Sequence, residues 1–172
     1  MSDTQLNASF LQRWTQAQSI QPPFPNWQRS FVSGPNSILF RLEHRIEARK
    51  ESSKDPALLT QIQYHDAAEG PPGHVHGGAN AGLIDELMGI VVWHHQYFCV
   101  TQSLKCNFLR PVPLSSQLWG LTAIQQINEN KITVHCTLFS QSTENKKMEY
   151  VTADAVFHRL TAEQLDQFRT HA

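Results

Sequence analysis

The sequence predicts an α+β domain in which one antiparallel sheet wraps over a single buried helix. Three observations predict it. Six runs of strand character occur, at 37–48, 57–65, 97–110, 115–127, 131–140 and 148–159. Only one interior segment, 77–93, has helical periodicity, and it is apolar almost all round, as a buried helix must be. The order is strand, strand, helix, then four strands joined by short polar turns, which reads as a meander. A chain of 172 residues that is 40% hydrophobic and 17% charged suits one folded domain and is too apolar for disorder.

The elements follow in order. At 4–18, Leu6, Phe10, Trp14 and Ala17 recur at helical spacing behind a cap at Asp3 or Thr4, which predicts a helix packed on the outside of the domain. Pro22, Pro23 and Pro25 enforce an extended loop, and Gly34-Pro35-Asn36-Ser37 is turn chemistry. Residues 1–35 therefore form a helical, Pro-rich extension to a domain at 36–172. In the first strand Ile38, Phe40, Leu42, His44 and Ile46 share one face. The polar tract Arg49 to Pro56 connects it to the second strand, and Ala67 to Gly73 is loop. In the helix Ala81, Ile84, Leu87, Met88, Val91 and Val92 form a stripe, widened by Leu83, Ile90 and Trp93; Asn80, Asp85 and Glu86 interrupt it and need an explanation. Phe98, Val100, Leu104, Cys106 and Phe108 share one parity of the third strand, while 115–127 is apolar on both. The fifth strand places Ile132, Val134, Cys136 and Leu138 on one face after the turn Asn128-Glu129-Asn130. After the turn Ser142 to Lys147, the sixth does the same with Val151, Ala153, Ala155 and Phe157. Residues 161–170 read as a closing helix capped by Thr161 with help from Glu163 or Gln164.

Several functions are disfavoured. Lys+Arg is 14 against Asp+Glu 15, a net charge of -1, so no basic excess exists to hold nucleic acid or an anionic membrane. No apolar run approaches a membrane span, and the opening MSDTQLNASFLQRW has no apolar core of a secretory signal. Cys99, Cys106 and Cys136 are odd in number and form no CxxC, which predicts free thiols in a reducing, cytoplasmic compartment. His74-Val75-His76 and His94-His95 invite a metal reading, but Glu86 stands ten residues after His76, too far for a cupin-like set; hydrogen-bonded or surface imidazoles, and no metal, are expected. There is no GxSxG elbow.

The chemical signal is Gly73-His74-Val75-His76-Gly77-Gly78 at the start of the buried helix. Helix-start N–H groups lack intrahelical partners and sit at the positive end of the dipole; glycines let an oxygen approach them. A plain turn explains the glycines alone equally well, and His76 reads as fixing that turn. Asp85 sharpens the case, because a carboxylate on so apolar a helix needs a partner, a wet groove or a job as base or nucleophile. Glu86 is the other candidate, but neighbours on a helix point about 100° apart, so only one can face a given site. Gly77 and Asp85 are eight residues apart, about 12 Å along a helix. An antiparallel copy across a two-fold axis would join them, which predicts composite sites in a homodimer.

HGGANAGLIDELMG at 76–89 followed by TQSLKCNFLRPVP at 101–113 resembles the hotdog-fold acyl-CoA thioesterases of the PaaI and thioesterase-superfamily-member type, over roughly residues 37–160. The resemblance implies a six-stranded sheet around a central helix and a homodimer or dimer of dimers. It implies hydrolysis of an acyl-CoA to a carboxylic acid and coenzyme A, with no cofactor beyond the coenzyme A of the substrate. It gives Asp85 the role of activating water or attacking the carbonyl, Gly77 that of donating its N–H to that carbonyl, and Thr101 that of holding the water or the Asp. His76, Gly78, Glu86 and Arg110 are the expected substrate-binding residues, with Arg110, like Lys105 or Arg159, a candidate partner for coenzyme A phosphates. The chain departs from the pattern at Gly70, where some members carry Asn or Gln; His65, Glu69 or His74 could stand in. The alternatives are a hotdog acyl-thioester dehydratase or hydratase, and a non-catalytic acyl-CoA-binding module, which would typically carry a fused DNA-binding helix-turn-helix.

Overall fold

The computed structural model describes residues 10, 12–23, 32, 34–47, 56–141 and 147–170. The expected cap at Asp3 or Thr4, Leu6, Pro25, the connection at 49–55 and the turn at 142–146 lie outside the described residues. The strands are β1 (Gln18–Ile20), β2 (Phe40–Ile46), β3 (Leu58–Tyr64), β4 (Cys99–Phe108), β5 (Gln117–Ile127), β6 (Lys131–Gln141) and β7 (Lys147–Arg159). Besides helical residues at 12–16, the helices among the described residues include α1 (Gly77–His94), between β3 and β4, and α2 (Ala162–Thr170) at the end. One antiparallel sheet runs β1-β2-β3-β5-β6-β7-β4. It cradles α1, whose Leu83, Ile84, Leu87, Met88, Ile90, Val91 and Val92 are wholly buried against Leu58, Ile62, Leu118, Ile132, Val134, Leu138 and Val151. This is the hotdog architecture.

Two details differ from the sequence reading. The sheet has seven strands, not six, because helical residues end at 16 and the backbone leading into Pro22 and Pro23 is already extended. Residues 18–20 pair with 44–46. The last four strands also form no simple meander: β5, β6 and β7 do, but β4 lies outside β7. The connection after β4, stiffened by Pro111 and Pro113, carries the chain past the start of α1. It is tied there by Val75 N–H to Val112 O and Leu114 N–H to Gly73 O, both 2.9 Å. Ile38, expected inside, is 71% exposed ahead of β2.

The predicted outer helix packs where expected. Phe10, Trp14 and Ala17 are buried with Leu59 and Phe139 in a second apolar cluster, with Trp119 beside it. Trp14 and Trp119 meet edge-to-face at 4.9 Å, Arg13 grips Glu47 through two hydrogen bonds of 2.6 and 3.0 Å, and the Arg45 guanidinium lies 4.5 Å above Trp14. At the far end the cap uses Gln164, not Glu163. Gln164 N–H donates to Thr161 Oγ1 (3.2 Å) and Thr161 N–H to Gln164 Oε1 (2.9 Å).

His44 is the costly residue of this core. It is 5% exposed, its Nδ1 lies 3.0 Å from Thr60 Oγ1, and burial pushes its pKa down to about 4. The unfolded chain then binds the proton more tightly than the fold does. Stability is therefore full above pH 6.5 and falls as pH drops from there towards 4. We expect about 3 kcal/mol of acid sensitivity from this group. Denaturant titrations at pH 7 and pH 4 should show His44→Leu losing that much less stability than wild type on acidification; equal losses would refute the assignment.

Candidate active site

The start of α1 divides its free donors between a cap and open space. His76 is the N-cap residue, and its Nδ1 accepts from Gly78 N–H at 3.0 Å. Asn80 N–H donates to His76 O at 3.1 Å. Among the described residues nothing accepts from Gly77 N–H. A methyl group placed on Gly77 would stand 3.8 Å from the Phe108 ring, so Phe108 walls this donor on one side. The loop ahead is pinned by His76 N–H to Ala68 O (2.8 Å), Gly73 N–H to Glu69 Oε1 (2.6 Å) and His74 Nδ1 to Pro72 O (2.9 Å). Glu69 and His74, two of the three suggested stand-ins at position 70, are thus engaged in shaping the turn. The departure at Gly70 has a steric cause: a Cβ there would lie 2.7 Å from His76 Cα, so no side chain fits unless the backbone moves.

Asp85 is half-buried on α1, and Thr101 Oγ1 donates to its Oδ1 at 2.8 Å. A bulge makes this contact. Thr101 opposes Phe157, Ser103 opposes Val156 and Leu104 opposes Ala155, leaving Gln102 as the extra residue. Cys99 and Thr101 therefore share the inner face with Leu104, Cys106 and Phe108, although their parity differs. The strand reading that placed Val100 inside is corrected accordingly: Val100 opposes His158 and is 39% exposed. Cys106 lies close enough to Asp85 to feel its charge. Burial, and then Asp85, push the Cys106 thiol pKa up. The parity of a regular strand could not show this; the bulge has no strong signature in Thr101-Gln102-Ser103.

The remaining candidates fall as follows. Glu86 is half-buried beside Asp85, without the Thr101 contact. Arg110 is exposed and donates through Nη1 to Glu149 O at 2.7 Å, and Arg159 Nη1 reaches Glu129 O at 3.5 Å. Lys105 is exposed on β4. Asn80, the third polar interruption of α1, is 3% exposed and accepts from the Tyr64 hydroxyl at 2.6 Å, which satisfies its carbonyl. α1 is unbroken from Gly77 to Asp85, so the two stand about 12 Å apart within one chain. Among the described residues no three His, Cys, Asp or Glu side chains gather as metal ligands. No described helix is long and apolar enough to cross a membrane.

With a carboxylate held by a threonine and a free N–H at the head of a buried helix, the comparisons with known proteins are specific. Residues 72–146, which span both the glycine turn and Thr101, match the thioesterase superfamily. Over that stretch the chain is similar to the thioesterase superfamily. Mouse (Mus musculus) acyl-coenzyme A thioesterase THEM4 is 34% identical over 136 residues, 79% of this chain and 54% of that protein. Human (Homo sapiens) acyl-coenzyme A thioesterase THEM5 is 27% identical over 96 residues, 56% of this chain and 38% of that one. The chain thus spans about half the length, or less, of these curated relatives. Among solved structures, a thioesterase superfamily protein superposes with a TM-score of 0.62 at 20% identity, covering 90% of this chain and 75% of that one. A Streptococcus pneumoniae thioesterase protein solved with coenzyme A gives 0.58 at 17%, covering 70% and 86%. At such identities the likeness establishes the hotdog fold.

The thiols give a direct check on this geometry. Burial pushes Cys99 and Cys136 up to about 12, and Cys106 is raised as well, so thiolate is scarce on all three at neutral pH. Iodoacetamide at pH 8 should label native Cys99 and Cys136 at least about tenfold more slowly than a peptide cysteine, Cys106 more slowly than that peptide as well, and all three at the ordinary rate in denaturant. Fast native labelling of Cys106 would contradict its placement beside Asp85.

Proposed function

We propose that this domain is an acyl-CoA thioesterase, which hydrolyses an acyl-CoA to a carboxylic acid and free coenzyme A. The observation that carries the reading is the pairing of Thr101 with Asp85 on a helix whose first N–H, on Gly77, has no acceptor among the described residues. The Gly77 N–H receives the thioester carbonyl oxygen and the negative charge that grows on it. Asp85 takes the proton of the attacking water, or attacks the carbonyl carbon itself. In the first route the tetrahedral intermediate collapses by breaking the C–S bond and the water's proton goes to the departing thiolate; in the second the thiolate leaves an acyl–Asp85 anhydride, which water cleaves to the carboxylic acid and free Asp85, a proton of that water going to the thiolate. Thr101 uses one carboxylate oxygen and leaves Oδ2 for this work. His76 shapes the turn, with Gly78 as its partner, and Glu86 and Arg110 contact the coenzyme A portion. A thioester is already an activated acyl group, so no metal or redox cofactor is required. Two mutants of the Streptococcus pneumoniae protein, one with an aspartate and one with a threonine changed to alanine, have been solved. Those two positions are sixteen apart, the spacing of Asp85 and Thr101 here.

The site is composite in this reading. β4 is an edge strand, and Phe108 (54%), Leu109 (49%) and Met148 (48%) are exposed near it. Unpaired edges and exposed apolar side chains are what a second copy covers. Pairing β4 with β4 of a second chain sets two α1 helices antiparallel and brings Asp85 of one chain toward Gly77 of the other. A homodimer, or a dimer of such dimers, is the proposed assembly. The cytoplasm is the proposed compartment, on the strength of three unpaired cysteines.

The test uses two lesions. Asp85→Asn should lower thiol release from acyl-CoAs by about 10²–10⁴-fold. Gly77→Pro replaces the N–H by a ring carbon with little change of backbone: proline suits the first helical position, and His76, at φ -62° and ψ 136°, already has the backbone that precedes proline. It should cost about 10²–10³-fold. Mixed and reassembled, the two inactive variants should recover roughly a quarter of wild-type activity, since each mixed dimer then holds one intact composite site. No recovery despite proven exchange of subunits would place the whole site within one chain. Full activity in Asp85→Asn would remove it from the chemistry.

A further inference from the structure

Two cavities meet at Phe40. One, of about 280 Å³, opens at the head of α1 and is lined by Leu39, Phe40, Ala68, His76, Gly78 and Gly82 among others. The other, of about 380 Å³, lies between β1, β2 and the residues Val32, Gly34, Pro35 and Ser37, and its lining includes Phe40, Ile20, Leu42, His44 and His65. Phe40 is 3% exposed and stands edge-to-face on Tyr64 with centroids 5.3 Å apart. The Tyr64 hydroxyl is in turn bonded to Asn80 of α1. The ring is therefore braced from the helix that begins at Gly77. The two chambers also differ in character. The near one is lined mostly by small and apolar residues. The far one holds Ser19, Gln21, Arg41 and Glu43 as well as the buried His44, whose Nε2 has no hydrogen-bond partner among the described residues.

We propose that Phe40 determines acyl-chain length: it is the wall between the near cavity, which receives the acyl group, and the far one. This rests on the reading of Gly77 as the carbonyl site, which directs the acyl group into the adjoining cavity. A chain that stops before Phe40 fills an apolar chamber, gaining roughly fourfold in affinity per buried methylene. A longer chain has to displace a braced, buried ring and then enter a space bounded by an unpaired imidazole nitrogen, so it gains nothing further along this track. Removing the ring joins the two chambers.

The experiment measures binding of non-hydrolysable S-alkyl-CoA thioethers of two to sixteen carbons by titration calorimetry, alongside thiol release from the matching acyl-CoAs. For wild type, affinity should climb with chain length and then level at a break point. Phe40→Ala should move the break point several carbons longer and raise the affinity ratio of the longest to the shortest ligand by at least about tenfold. Phe40→Leu, the milder change if the alanine variant folds poorly, should move it less and in the same direction. Tyr64→Phe loosens the brace but keeps the wall, and should leave the break point in place. An unmoved break point in folded Phe40→Leu and Phe40→Ala overturns the proposal and leaves hydrolysis untouched. A break point that moves without thiol release from any acyl-CoA upholds the wall and overturns the hydrolase reading. No binding at any length overturns both.

Discussion

Everything in this fold depends on burying α1 whole. Seven of its side chains are shut off from solvent completely, so the sheet has to curve around it and supply apolar residues from β3, β5, β6 and β7. That demand settles the strand order. β4 leaves the end of α1 directly and pairs at the edge, on β7, where its inner face runs beside the helix. The chain then has to reach β3, on the other side of the sheet, and the proline-stiffened connection at 109–116 does this by passing the head of α1. Its hydrogen bonds with residues 73 and 75 lock the glycine turn from outside. The loop that makes the topology possible is thus the loop that holds the donor site in shape.

The same constraint governs the carboxylate. A charged group on a buried helix has to be near water or near a hydrogen-bond donor. The donor supplied to Asp85 is a neutral hydroxyl rather than a cation. An arginine there would have tied up both carboxylate oxygens and drained the basicity of the pair. A threonine satisfies one oxygen and fixes the rotamer, and the other remains available as an acceptor. Burial, and then the Asp85 charge, raise the pKa of the neighbouring Cys106 thiol and favour its protonated form. A thiol so held is a poor nucleophile, and a thioester bound alongside would not be diverted onto it.

How much of this could be read from the chain depended on whether the signal was local. Helical periodicity at 77–93, alternation in β2, β6 and β7, and the Thr161 cap are local patterns, and they located those elements to within a few residues. The edge position of β4 was not readable, because it follows from pairing at long sequence separation. Nor was the inner face of β4, because one extra residue, Gln102, reverses the parity and leaves no distinctive composition. β1 was hidden for a third reason: three residues are too few for alternation to register, and they follow a helix without a break. At the site, the glycine turn and Asp85 stood out because each defies its surroundings. Phe40, Tyr64 and Phe108 did not, because an aromatic residue on a strand is ordinary core until the cavity beside it is known.

Gly70 and Gly78 show how little freedom the turn has left. The backbone at 70 lies so close to His76 that a methyl group cannot be inserted, and the His76 ring in turn folds over Gly78 to accept its N–H. A side chain at 70 would push His76 off Gly78. The released Gly78 donor would then sit one residue from Gly77, and the head of α1 would offer two adjacent N–H groups with no imidazole between them and solvent. In this chain the glycine at 70 and the histidine cap at 76 pack as one unit. What this chain gains is a donor at Gly77 with fixed direction, set by a ring wedged between two glycines.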